Sequence, residues 1–221
     1  MVTKGPAAAF DRLYARHASS FTRQAFLLCG HRRLAERAVA HAFRLAWERW
    51  PEVARDRDPA SWVRAATYEY ALAPWHRLLP GRRHGDLRAV PPEDRVLLEA
   101  LLSLPRTYRR SLLLHDGVGL GLPETAAETE ATTRATACRV QHAREALSER
   151  LPRLADAPPE ERGPLLNELL AGFAAGQPVR TRPAVYLRTA SERGTRRRTW
   201  GALALVLGAV AAVTAASVLP V

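Results

Sequence analysis

Apolar side chains recur every third or fourth position through most of the first 151 residues, which commits the chain to helices that bury one face. The clearest case is residues 34–50, where Val39, Ala42, Phe43, Ala46, Trp47 and Trp50 share a face while Glu36, Arg37, His41, Arg44 and Glu48 lie elsewhere, and Pro51 ends the run. Residues 10–29 repeat the pattern with Phe10, Leu13, Tyr14, Phe21, Ala25 and Leu28, stopped by Gly30. Alanine is abundant and β-branched residues are sparse until the last twenty positions, so helix is favoured over strand throughout. The expected fold class is all-α.

Punctuation divides this pattern. After the polar loop at residues 51–58, Asp58 can cap and Pro59 can occupy the first turn of a third helix reaching about Leu72. These helices form a first bundle over residues 8–78. Residues 79–92 carry proline, glycine and charge with no apolar period and read as a flexible linker. A second domain is expected over residues 93–151. Val96, Leu97, Ala100, Leu101 and Leu104 mark its first helix, and residues 105–116 make a second, stopped by Gly117. Pro123 opens a short helix that leads through a turn at residues 130–132 into a longer helix from Thr133, with Val140, Ala143 and Leu147 toward the core. Short helix, turn and longer basic helix together make a helix-turn-helix pattern. Residues 152–199 form an extension with one amphipathic helix, whose apolar members are Leu165, Leu166, Leu169, Leu170 and Phe173.

Residues 200–218 carry no charge and would span roughly 28 Å as a helix, close to a bilayer core. A soluble core helix is the alternative, since the run is rich in alanine. Arg193, Arg196, Arg197 and Arg198 stand just before it, so a transmembrane helix over residues 200–219 would leave the preceding chain on the cytoplasmic face. The N-terminus has no comparable apolar run and is not read as a signal peptide.

The formal net charge of +11 makes a polyanion or an anionic surface the first partner to consider. The 47% apolar content excludes a wholly disordered basic tail. Cys29 and Cys138 are the only cysteines, which excludes a disulfide scaffold, and the seven histidines show no paired metal spacing. A phosphate-binding glycine loop, HExxH, CxxC and a nucleophile elbow are all missing from the sequence, so no enzyme, metal or cofactor is expected.

Two stretches carry a resemblance. Residues 34–50, LAERAVAHAFRLAWERW, with DPASWVRAATYEYA after them, resemble region two of RNA polymerase sigma factors of the extracytoplasmic-function type. Residues 101–147 resemble region four, through Leu104-Pro105, Arg109, Leu112 to Leu114, Gly119-Leu120, Glu124, Ala126, Arg139 and Ala143-Arg144. The resemblance implies a transcription initiation factor in which region two binds core RNA polymerase and opens promoter DNA at the −10 element, while region four reads the −35 element. It leaves room for an anti-sigma protein as a further partner.

The resemblance places polymerase contacts on Glu36, Arg37, Ala40, His41 and Arg44. The family usually has Asp, Gln and Glu where this chain has Arg37, Ala40 and His41, which weakens the electrostatic match to a basic partner surface. Glu69 replaces the usual Asn, and Glu130 replaces the turn glycine. At the start of the longer helix, Thr132, Thr133, Arg134, Thr136 and Arg139 supply the small polar and arginine side chains that a major-groove helix uses. For strand opening, Trp62, Arg64, Tyr68, Trp75 and Arg77 offer stacking platforms and backbone contacts. Trp47, Trp50 and Trp62 are spaced equally well for a buried core, and the loop at residues 53–58 suits either a pocket for an extruded base or a solvated turn. A DNA-binding regulator without polymerase function and a membrane-surface interaction protein stand as alternatives.

Overall fold

The computed structural model describes residues 5–74, 86–181 and 183–189. Among them every regular element is helical and no strand occurs. In chain order these include α1 (Pro6–Cys29), α2 (Arg32–Glu48), α3 (Trp50–Val53), α4 (Pro59–Leu72), α5 (Pro92–Ser103), α6 (Arg106–Leu112), α7 (Leu122–Glu128), α8 (Thr133–Ser148), α9 (Pro152–Ala155) and α10 (Arg162–Gly176), and residues 184–189 are helical as well. A 3-10 turn, Leu87–Ala89, precedes α5, and a π-turn, Leu113–Gly117, continues α6. The π-turn lets Leu112, Leu113 and Leu114 all enter the core in succession.

Local sequence explains the boundaries. Asp58 accepts from the backbone N–H groups of Ala60 and Ser61, and Pro59 occupies the first turn of α4, as the Asp-Pro pair predicts. The helix expected through Trp50 instead ends at Glu48, because Arg49 leaves helical geometry and Trp50 then begins α3 with Pro51 in its first turn. Gly30 closes α1 in the left-handed region at φ 69°, its N–H donating to the Phe26 carbonyl. A Cβ there would meet Leu102 at 2.6 Å, so glycine serves both the turn and the close approach of α5.

Long α1 is the pole around which two clusters assemble. Its N-terminal half packs Phe10, Tyr14, Ala18 and Phe21 against Val39, Phe43 and Ala46 of α2, Val53 of α3 and Val63 of α4. Phe10 meets Phe43, Trp47 and Trp50 edge-on at 5.9, 5.1 and 5.4 Å. The C-terminal half contributes Ala25 to Leu28 to a second cluster with α5, α6, α8, α9 and α10. The two sets of helices therefore share α1. Arg109, buried on α6, fastens this junction by donating to the carbonyls of Leu28, Leu102 and Leu104, at the ends of α1 and α5. Cations are favoured at such helix ends, where carbonyls lack intrahelical partners.

Several expectations change. Val96, assigned to a core face, is 50% exposed, and Leu98 takes that place fully buried. Of the segment read as a linker, residues 79–85 lie outside the described residues, but its end is packed. Val90 is buried, the Asp86 carboxylate accepts from the Arg32 N–H at 2.6 Å, and the Asp86 N–H donates to the Gly30 carbonyl. The extension is likewise part of the body. Leu166, Leu170 and Phe173 of α10 are buried, and Phe173 stacks on Phe26 of α1 at 6.0 Å. Among the described residues no helix is long and apolar enough to cross a membrane, and the expected span at residues 200–218 lies outside them.

Candidate nucleic-acid interface

Helices α7 and α8 follow one another across a short turn at residues 129–132. After Glu128 the Ala131 N–H donates to the Ala126 carbonyl and the Glu130 N–H to that of Ala127. This nested pair closes a helix around one left-handed residue, here Glu130 at φ 51°. Glutamate thus adopts the conformation that glycine would take without strain. Thr132 then caps α8, its Oγ1 accepting from the Ala135 N–H at 3.2 Å.

Thr132, Thr133 and Arg134 are exposed at the N-terminal end of α8, and Arg139 is half-buried. Unsatisfied N–H groups and an acid-free first turn make that end favourable to phosphate. Thr136 is a correction. It is fully buried, in phase with Val140, Ala143 and Leu147 along the core stripe, and is not placed to touch DNA. Buried or half-buried charge braces the motif from behind. Arg144 of α8 pairs with the buried Asp116 through two bonds of 2.9 and 2.5 Å, and Asn167 of α10 donates to the Asp116 carbonyl. The hydrogen bond and charge of Asp116 hold the Arg144 pKa above its usual value, against the opposing effect of burial. Arg110 of α6 donates to the Glu128 carbonyl at 2.6 Å, fixing the end of α7.

The residues proposed for strand opening are not gathered on a surface. Arg64 is buried and bound in bidentate fashion to Glu128 of α7 at 2.8 and 2.7 Å. Burial works against its charge, yet the bonds and charge of Glu128 outweigh that and raise the Arg64 pKa. Tyr68 is fully enclosed, its hydroxyl donating to Gln24 Oε1 at 3.0 Å, and burial raises its pKa. Neither residue is available to DNA in this arrangement, because the second set of helices lies against α4. Trp62 is half-buried with the Arg49 guanidinium 5.8 Å from its ring, Trp47 is half-buried, and Trp50 is buried. Trp75 and Arg77 lie outside the described residues. Of the stretch read as a specificity loop, Val53 is the last residue of α3, buried and part of the core, whereas residues 54–58 are exposed. Asp56 accepts from the Asp58 N–H, so the loop's acids shape the turn and start α4.

On α2, Arg37 and Arg44 are exposed while Glu36, Ala40 and His41 are half-buried. His41 lies over Tyr70 at 4.7 Å, with Nδ1 3.2 Å from Arg44 Nη2. Burial and then the Arg44 charge lower its pKa. Glu128, Arg110 and Gln24, which decide what Arg64, Tyr68 and α7 can do, carry no signal in the sequence because their partners are distant along the chain. Among the described residues, no group of three or more histidine, cysteine or acidic side chains is placed to hold a metal ion. No protein-family model matches the chain, and a search of curated proteins finds no match.

Proposed function

We propose that this chain is a transcription initiation factor of the sigma type, which binds core RNA polymerase and directs it to promoters, with no catalytic residue of its own. The observation that carries this reading is the α7–α8 pair, a helix-turn-helix whose second helix presents Thr132, Thr133 and Arg134 at an exposed, acid-free N-terminus. The uncharged run at residues 200–218, preceded by arginines, supports a tether that keeps the factor on the cytoplasmic face of the membrane.

A DNA-binding regulator without polymerase function is the second reading. It is favoured by Arg64 and Tyr68, which are engaged inside the protein rather than offered to an open strand. Both readings are tested by adding the purified full chain to core polymerase with a library of promoter fragments at controlled salt. A defined start with paired −35 and −10 preferences supports the sigma reading. DNA preference without polymerase binding moves the function to the regulator, and neither activity leaves a membrane-surface role. For either DNA-binding reading, Arg134→Ala should weaken binding across sequences and reduce the salt slope by about one.

A further inference from the structure

After α10 the chain turns back along α2. Gln177 is buried, and its Oε1 accepts from Arg32 Nη2 at 3.0 Å, beside the start of α2. Leu187 is buried in the cluster of Phe10 and Phe43. Arg188 pairs with Asp11 of α1 at 3.0 Å and lies 5.6 Å from the Trp47 ring, near the end of α2. The segment thus runs parallel to α2 and spans its length, held at its two ends.

Between those ends it bridges rather than fills. A cleft of about 700 Å³ opens beneath it, lined by Arg33, Glu36, Arg37 and Ala40 of α2 and by Arg180 and Thr181 of the strap. Arg33 and Arg37 on α2 and Arg180 on the strap all line this cleft, with Glu36 the sole acid among its lining residues, so charge repulsion opposes close seating. The strap residues 178, 180, 181, 183, 185 and 186 are exposed.

We infer that residues 177–181 and 183–189 act as an intramolecular strap that stands over Glu36 and Ala40, beside the exposed Arg37, and must lift before that face of α2 can receive core RNA polymerase. The inference rests on the sigma reading proposed above. Apparent affinity for the partner is reduced by the fraction of molecules with the face open, so weakening the end anchors raises that affinity until the strap is mostly displaced.

The test uses the full chain in mild detergent. Leu187→Asp places a charge in an apolar seat, Arg188→Asp sets like charges against Asp11, and Asp11→Arg combined with Arg188→Asp restores the pair. Tryptic cleavage at Arg180 reads the strap directly, and binding to bacterial core polymerase reads the face. Leu187→Asp should speed cleavage and tighten polymerase binding by about tenfold. Arg188→Asp should do the same more weakly, and the swapped pair should return both readouts toward the parent. Faster cleavage with a measurable but unchanged polymerase affinity overturns the strap's role while the sigma reading stands. Unchanged cleavage in both single variants overturns the strap itself. No polymerase binding by any variant overturns the sigma reading, and the covering role with it.

Discussion

Breaking the Arg64–Glu128 pair is the most direct measure of whether α4 and α7 are locked together. The two side chains are 9% and 7% exposed and are joined by two bonds of 2.8 and 2.7 Å. At about 4 Å between charge centres and an effective dielectric of about 20, their attraction is about 4 kcal/mol. Much of that offsets desolvation of both ions, so the pair adds little net stability, yet removing one partner leaves the other buried without a countercharge. Glu128→Gln preserves shape and should cost about 3 kcal/mol in urea unfolding of the full chain. The double variant Arg64→Met with Glu128→Leu removes both charges and should fall within about 1 kcal/mol of the parent. The Arg110 bond to the Glu128 carbonyl uses backbone and survives either change, so α6 and α7 stay joined in all variants. A loss below about 1 kcal/mol for Glu128→Gln is what a solvent-exposed pair would give, and it would refute the buried Arg64–Glu128 link between α4 and α7.

Three further perturbations address other parts of the molecule. Glu130→Gly relieves a left-handed glutamate but frees the unfolded chain, and should raise stability by about 0.5 kcal/mol in urea titration. Phe173→Ala removes a buried ring stacked on Phe26 and should cost about 3–5 kcal/mol, with faster hydrogen exchange at the C-terminal end of α1. His17 and His41 both have pKa values lowered from 6.5, chiefly by burial and then by Arg16 and Arg44 respectively. The folded state therefore favours the neutral rings, and the unfolded chain takes up protons first as pH falls below 6.5. Thermal stability should decline through that window and flatten when both are replaced by glutamine.

Much of the fold was legible in local chemistry. The helical period, the Asp58-Pro59 start, the Gly30 stop and the α7–α8 pair all depend on neighbours within a few residues, where sequence patterns are informative. Thr136 was legible too, since it falls four residues before Val140 on the stripe continued by Ala143 and Leu147. Its polar hydroxyl near the start of the helix pointed to DNA, against the core stripe it continues. Arg64 and Tyr68 were not legible, because an arginine and a tyrosine on a helix look alike whether they face solvent or a partner. Their partner Glu128 is 64 residues from Arg64, and Gln24 is 44 from Tyr68. Residues 177–189 have two prolines and no apolar period, so nothing in their pattern pointed to a seat along α2. Thr133 and Arg134 are exposed at the start of α8, while the residues read for strand opening are divided between interior and surface by those long-range partners.

The position of α1 also sets an order on synthesis. This first helix leaves the ribosome early, yet Phe26 awaits Phe173 and the cluster around Phe10 awaits Leu187, so both of its ends remain incompletely covered until nearly all of the described chain has been made. Contacts of such separation are slow to form, and the apolar face of α1 stays open to chaperones or to premature association in the meantime. A ribosome that stalled before the extension would release a chain with both clusters unfinished, so the same residues that close the fold also discriminate complete products from truncated ones.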